Sequence, residues 1–237
     1  MKQLLILLLF VWTALTAGAQ KTVYDANAEP RQVGDFKSIQ LSNAFTVLIT
    51  QGSESGVAVS AADKDLIGNI ITKVENGVLK ISFDNNQKWT RKNPNLKAYI
   101  SVKTLERIKA SGACDIKIDG TLNASSLTVE MSGASDLTGK INVSNTLDVK
   151  LSGASDLTLT GIADQAKIDV NGASEVKAYD FSTSNCSIEA SGASSVQITV
   201  DKELSAQISG ASSVRYKGTA NIKDIKTSGA SSISRKS

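Results

Sequence analysis

The sequence predicts an all-β fold: a parallel β-solenoid with rungs of about 20 residues and an elaborated N-terminal cap. Three observations carry this. A glycine returns at Gly112, Gly133, Gly153, Gly172, Gly192, Gly210 and Gly229, at spacings of 21, 20, 19, 20, 18 and 19 residues. Apolar residues keep a fixed phase on both sides of it, at period two. Finally, the unit is too short for a βαβ crossover with a full helix.

The phase is explicit. Four residues before the glycine stand Ile108, Val129, Val149, Ile168, Ile188, Ala206 and Ile225. Four after it stand Ile116, Leu137, Leu157, Val176, Val196, Val214 and Ile233. Polar residues fill most positions between, the signature of half-buried strands. Each unit therefore reads as strand, Ser-Gly-Ala corner, strand, return turn. One unit cannot bury its apolar side alone, but stacked units share a core. The alanine that follows every glycine is expected to point inward at a cramped bend. A meander of antiparallel hairpins is the alternative; hairpins usually carry Asn-Gly or Asp-Gly turns, whereas these corners are Ser-Gly-Ala, with Asn171 for serine in one copy, flanked by apolar residues in fixed phase.

In chain order, residues 1–19 read as a signal peptide: Lys2, an apolar run from Leu4 to Leu15, then Ala17-Gly18-Ala19. Cleavage is expected between Ala19 and Gln20, giving an exported chain with no membrane span after cleavage. The competing reading is an N-terminal membrane anchor, for which the run is short. Residues 20–34 read as a flexible leader. The solenoid is expected over 35–233, with 35–104 as first rung and cap, 105–233 as seven Ser-Gly-Ala rungs, and 234–237 as a tail. Ile39, Leu41, Ala44, Val47 and Ile49 repeat the rung phase with Asn43 in the glycine slot. Asn tolerates the left-handed backbone better than most residues.

Within the cap, Val57 and Val59 suggest a strand and Ala62 to Ile70 a short helix. Val74-Glu75-Asn76-Gly77-Val78 predicts a hairpin. Leu96 to Val102 returns as a strand. At the far end, Arg235 and Lys236 read as gatekeepers against edge pairing, or this end docks on a further copy.

The opening Phe36-Lys37-Ser38-Ile39, Leu41-Ser42-Asn43-Ala44-Phe45, Asn76-Gly77-Val78-Leu79-Lys80-Ile81-Ser82 and the serial Ser-Gly-Ala-Ser units together resemble one family. It is the auto-transporter adhesin "head GIN" domain of secreted proteins from Bacteroidetes-type bacteria. The resemblance runs from Phe36 to Ile233. It implies a right-handed β-helix and an adhesin-like role, and it brings no catalytic or binding residues. No translocator barrel accompanies it here.

Composition narrows the chemistry. The chain has 237 residues, no histidine and a formal net charge of +3. The missing histidine removes Ser-His-Asp and Cys-His catalysis and His-ligated metals. The mild charge does not suggest a nucleic-acid partner. No catalytic residue and no cofactor are expected.

Four candidates remain. Asp115, Asp136, Asp156 and Glu175 would form an acidic ladder, either a cation site such as calcium or side chains bonded locally to backbone. The same carboxylates support an alternative function, a polysaccharide-cleaving enzyme, since glycoside hydrolysis uses carboxylate pairs. Ser111, Ser132, Ser152, Ser191, Ser209 and Ser228, with Asn171, are expected to form a hydrogen-bonded corner ladder. Lys88, Trp89, Arg91 and Lys92 form a basic-aromatic loop suited to an acidic glycan or lipid surface. Cys114 and Cys186 fall on rungs four steps, or about 19 Å, apart. They are expected as free thiols, with Cys186 buried.

The leading expectation is a non-enzymatic interaction or adhesion module of the periplasm, outer-membrane surface or extracellular space. Its partner would be a surface glycan or envelope protein. A structural envelope protein assembling end to end, as a homo-oligomer through the solenoid ends, is a further alternative.

Overall fold

The computed structural model describes residues 25–84 and 94–236. The first seven strands and a short helix form the cap: β1 (Glu29–Arg31), β2 (Ser38–Leu41), β3 (Phe45–Gln51), β4 (Gly56–Ser60), a 3-10 helix (Lys64–Asn69), β5 (Ile70–Glu75), β6 (Val78–Phe83) and β7 (Leu96–Val102). The repeats supply β8 (Arg107–Gly112), β9 (Asp115–Ala124), β10 (Leu127–Gly133), β11 (Asp136–Leu151), β12 (Asp156–Val170), β13 (Glu175–Ala190), β14 (Ser195–Ile208), β15 (Ser213–Lys217), β16 (Asn221–Thr227) and β17 (Ser232–Arg235). All seventeen join one sheet.

Repeat strands pair in parallel with like residues opposite like. Leu137 lies against Leu157, Leu157 against Val176 and Val176 against Val196. Leu147, Ala166, Cys186 and Leu204 form another inward column. The chain is therefore a parallel β-solenoid, and the hairpin meander is excluded. Inward residues are nearly all aliphatic, and they form one continuous core from Phe36 to Ala220. A thin core suits them, because β-branched side chains pack well on a pleated surface.

The corner explains the glycine. Gly133, Gly153, Gly172, Gly192, Gly210 and Gly229 all have positive φ, between 72° and 85°. Each also sits on the corner glycine of the rung before it. A Cβ on Gly172 would stand 2.5 Å from Gly153 O, and one on Gly192 2.5 Å from Gly172 O. The next residue's N–H donates across the same step, Ala154 to Gly133 O at 2.8 Å and Ala173 to Gly153 O at 2.8 Å.

The alanines do not point inward as expected; Ala134, Ala154 and Ala173 are exposed. With glycine left-handed, two successive corner residues face out, and the serine after them turns in. Ser135, Ser155, Ser174, Ser194 and Ser212 are buried.

The cap departs from simple order. β2 and β3 pair on one side with β8 and β9, as the phase predicts. On their other side they pair in parallel with β6 and β7. The first rung in sequence is thus second in space, overlaid by a rung that comes later in the chain. Antiparallel strands finish this end, β5 on β6, and β4 on β7 with β1 beyond it. Short antiparallel strands of this kind blunt an edge. Val57 and Val59 lie in β4, and β7 spans Leu96–Val102, as expected. The hairpin turns at Asn76 and Gly77, with φ of 50° and 75°.

The described part of the leader is attached rather than loose. Asp25 accepts from Tyr99 Oη at 2.7 Å and from Lys97 Nζ at 3.3 Å. Asn27 Nδ2 donates to Ala61 O at 3.2 Å and Arg31 Nη2 to Ile67 O at 2.8 Å. Pro30 is tolerated because β1 is an outer strand. At the opposite end β16 is mostly exposed, with Ile222 51% accessible.

Candidate interaction surface

Two serine ladders run through the corner. In the inner one, Ser155 Oγ donates to Ser152 O at 3.1 Å and Ser174 Oγ to Asn171 O at 3.1 Å. Ser174 Oγ also accepts from Ser155 N at 3.2 Å, so each hydroxyl closes its own turn and ties two rungs. Cys114 occupies this column at the first repeat, its Sγ 3.8 Å from Ser111 O. The serines before the glycines form the outer ladder. Ser111 Oγ donates to Leu41 O at 3.2 Å and Ser152 Oγ to Met131 O at 3.4 Å. Each of these hydroxyls donates to a backbone carbonyl of its own corner or of the rung before it.

The acidic ladder exists as a line. Asp115 lies opposite Asp136, Asp136 opposite Asp156, and Asp156 opposite Glu175. Lys177 reaches Glu175 at 3.1 Å and Asp156 at 3.6 Å, and Gln197 Nε2 donates to Glu175 Oε1 at 3.3 Å. Among the described residues Asp136 forms no ion pair. Desolvation, and then the charges of Asp156 and Asp115, push its carboxyl above the usual range. Among the described residues no group of three or more His, Cys, Asp or Glu converges as a metal site.

Both cysteines are free and buried, on different rungs. Burial pushes the Cys186 thiol up to about 12 and raises Cys114 as well. Neither forms the reactive thiolate that exposed, electropositive sites produce. Lys88, Trp89, Arg91 and Lys92 lie outside the described residues, as do Ala19 and Gln20.

Two surface features were not anticipated. The first is a groove of about 540 Å³ beside the second bend of the early rungs, lined by Lys37, Leu105, Glu106, Asn123, Asn142, Val143 and Ile162 among others. An amide column borders it. Asn142 Nδ2 donates to Asn123 Oδ1 at 3.3 Å, and Gln51 bonds the Asn123 backbone in both directions, at 2.8 and 3.0 Å. Ile162 continues this column and is 57% exposed. Its apolar residue in an outward phase was the available sequence signal.

The second feature is Tyr179, with Lys217 Nζ and Lys236 Nζ each 4.8 Å from its ring centroid. Lys236 follows Lys217 by one repeat length, and Lys217 follows Tyr179 by two. The spacing was legible, but Lys236 read more simply as a gatekeeper.

Among the described residues no helix is long and apolar enough to cross a membrane. No curated protein matches the chain. Among solved structures, it is similar to a "putative adhesin" from Bacteroides fragilis, with a TM-score of 0.81 and 22% identity over 88% of this chain and 95% of that one. It is also similar to a "putative adhesin" from Parabacteroides merdae, with a TM-score of 0.67 and 19% identity over 89% and 96%. A "putative lipid binding protein" from Parabacteroides distasonis aligns with a TM-score of 0.61 and 21% identity over 90% and 98%. At these identities the structures establish a shared fold. The family model described as "Putative auto-transporter adhesin, head GIN domain" matches residues 35–220, and the chain belongs to that family.

Proposed function

We propose that this protein is a non-enzymatic, exported adhesion module that holds a surface glycan or envelope partner in the groove beside Asn142 and Ile162. The groove is the observation that carries the reading. It combines amide and hydroxyl groups, which pair with hydroxyls, with an exposed aliphatic edge that packs against a partner's apolar face. The repeated corner serves as rigid scaffold, which holds the groove without loop closure. Export rests on the signal-peptide reading of residues 1–19. The enzymatic alternative would use the acidic line, where among the described residues Asp136 forms no ion pair while Asp156 and Glu175 are bridged by Lys177.

The test is a glycan array with a parallel polysaccharide-cleavage screen. Binding without release of reducing ends is expected, with Asn142→Ala and Ile162→Ser weakening it by about tenfold together. Release of reducing ends, abolished by Asp136→Asn, would replace this reading with the enzymatic one.

A further inference from the structure

The basic cluster around Tyr179 is built by three passes of the chain. Tyr179 sits where the register between β13 and β14 shifts, and its carbonyl accepts from Thr199 Oγ1 at 2.7 Å. That contact fixes the ring's backbone at the turn. Lys217 ends β15, and Lys236 follows β17 with its N–H on Tyr216 O at 2.7 Å. Their backbones are therefore held one rung apart on the same face, with both ammonium groups 4.8 Å from one ring. Arg235 adds a guanidinium, of which Nη2 donates to Gly218 O. Lys217, Gly218, Arg235 and Lys236 line a depression here.

Three cations gather here without a direct ion pair among the described residues. Elsewhere on the surface Lys177, Lys223 and Lys226 have carboxylate partners. Among the described residues no ion pair is formed by Lys217, Arg235 or Lys236. Asp201, beside Gly218, accepts from Ser182 Oγ at 2.6 Å, and its carboxylate offsets one of the three cations without an ion pair to any of them. An aromatic face attracts each ammonium, yet drawing two to one ring sets like charges against each other. An anion between them would relieve that repulsion.

We propose that Lys217, Arg235 and Lys236, gathered on Tyr179, bind the phosphate group of a phosphorylated ligand. A phosphate monoester brings close to two charges and three acceptor oxygens. Two ammoniums and the free edge of a guanidinium match that set. The phosphate belongs either to a sugar or to a lipid headgroup, and the two share this chemistry. The site is separate from the groove, so the failure of either leaves the other standing.

The test is calorimetric titration of the full chain with glucose 6-phosphate, with glucose, and with phosphatidylcholine vesicles with and without phosphatidic acid. Glucose 6-phosphate or the phosphatidic acid vesicles should bind, whereas glucose and vesicles of phosphatidylcholine alone, whose phosphate is a diester capped by a cationic choline, should not, and added salt should weaken binding. Whichever phosphorylated probe binds more tightly identifies the source. The double variant Lys217→Gln/Lys236→Gln should lose about tenfold or more in affinity at unchanged melting temperature. Tyr179→Phe keeps the ring face and should bind like the parent, whereas Tyr179→Leu should weaken binding severalfold. Absence of binding by every phosphorylated probe overturns the proposal, as does equal affinity in the double lysine variant.

Discussion

Asn43 lies directly beneath Gly112. Its carbonyl oxygen accepts from Ala113 N at 2.8 Å and occupies the space that a Cβ on Gly112 would need. Asn43 takes the corner at φ 75°, and its Oδ1 accepts from Phe83 N at 3.0 Å in the overlying rung. The column can thus begin with asparagine but must continue with glycine. At the later corners a Cβ would meet the carbonyl of the corner before it, whereas the Asn43 side chain is turned to the Phe83 N–H.

Gly153 and Gly77 separate two costs. Both have positive φ, 81° and 75°, but a Cβ on Gly77 meets nothing within 4 Å, while one on Gly153 runs into Gly133 O. Gly77→Ala should cost about 1–2 kcal/mol from the backbone alone. Gly153→Ala adds the clash with a backbone atom and should cost about 3 kcal/mol or more. Urea unfolding of both variants checks the difference.

Ser174 is expected to be the costlier kind of hydroxyl. Ser174→Ala leaves the buried Ser155 N–H without its side-chain acceptor and should destabilise by about 1–3 kcal/mol. Ser174→Cys should cost less, since Cys114 already fills the same column. Denaturant midpoints of the two variants rank them.

The docked leader makes stability depend on pH at both extremes. The Tyr99 hydroxyl, more than Lys97, holds the Asp25 carboxyl at about 2. A depressed carboxylate stabilises above its unfolded value of about 4, and that stability is lost as pH falls toward 2. Burial, and then Asp25, pushes Tyr99 up to about 12. Its contribution is complete below about 10 and is lost as pH rises toward 12. In melting curves against pH, Tyr99→Phe should shrink the acid limb and remove this alkaline one.

Cys114 and Cys186 should not react with a thiol reagent in the native state, and both should react in denaturant. Their burial and raised pKa values predict this together. Timed labelling read by mass spectrometry checks it, and an intramolecular disulfide would contradict the rung assignment.

Much of this was legible because a solenoid writes its geometry as period. The inward columns through Leu137 and Leu147, and Asn43 as a corner, follow from phase alone. Period does not say on which side of a rung its neighbour lies, so the overlay of β6 and β7 on β2 and β3 was hidden. Nor does it report the turn that a left-handed glycine imposes, which exchanged the inward roles of Ala154 and Ser155. The groove depends on an amide column at a bend whose register shifts, and register shifts leave no simple periodic trace. Tyr179, Lys217 and Lys236 kept the period, but their meeting depends on side-chain reach.

The central claim is that successive corners stack one strand apart. Pulsed electron-spin distances between nitroxides at the exposed corners test it, using Ala113→Cys paired with Ala193→Cys or with Ala211→Cys, the native thiols being too buried to label. Stacking predicts separations of about 19 and 24 Å, one strand spacing for each repeat. Separations of about 38 and 48 Å, two strand spacings for each repeat, would contradict it.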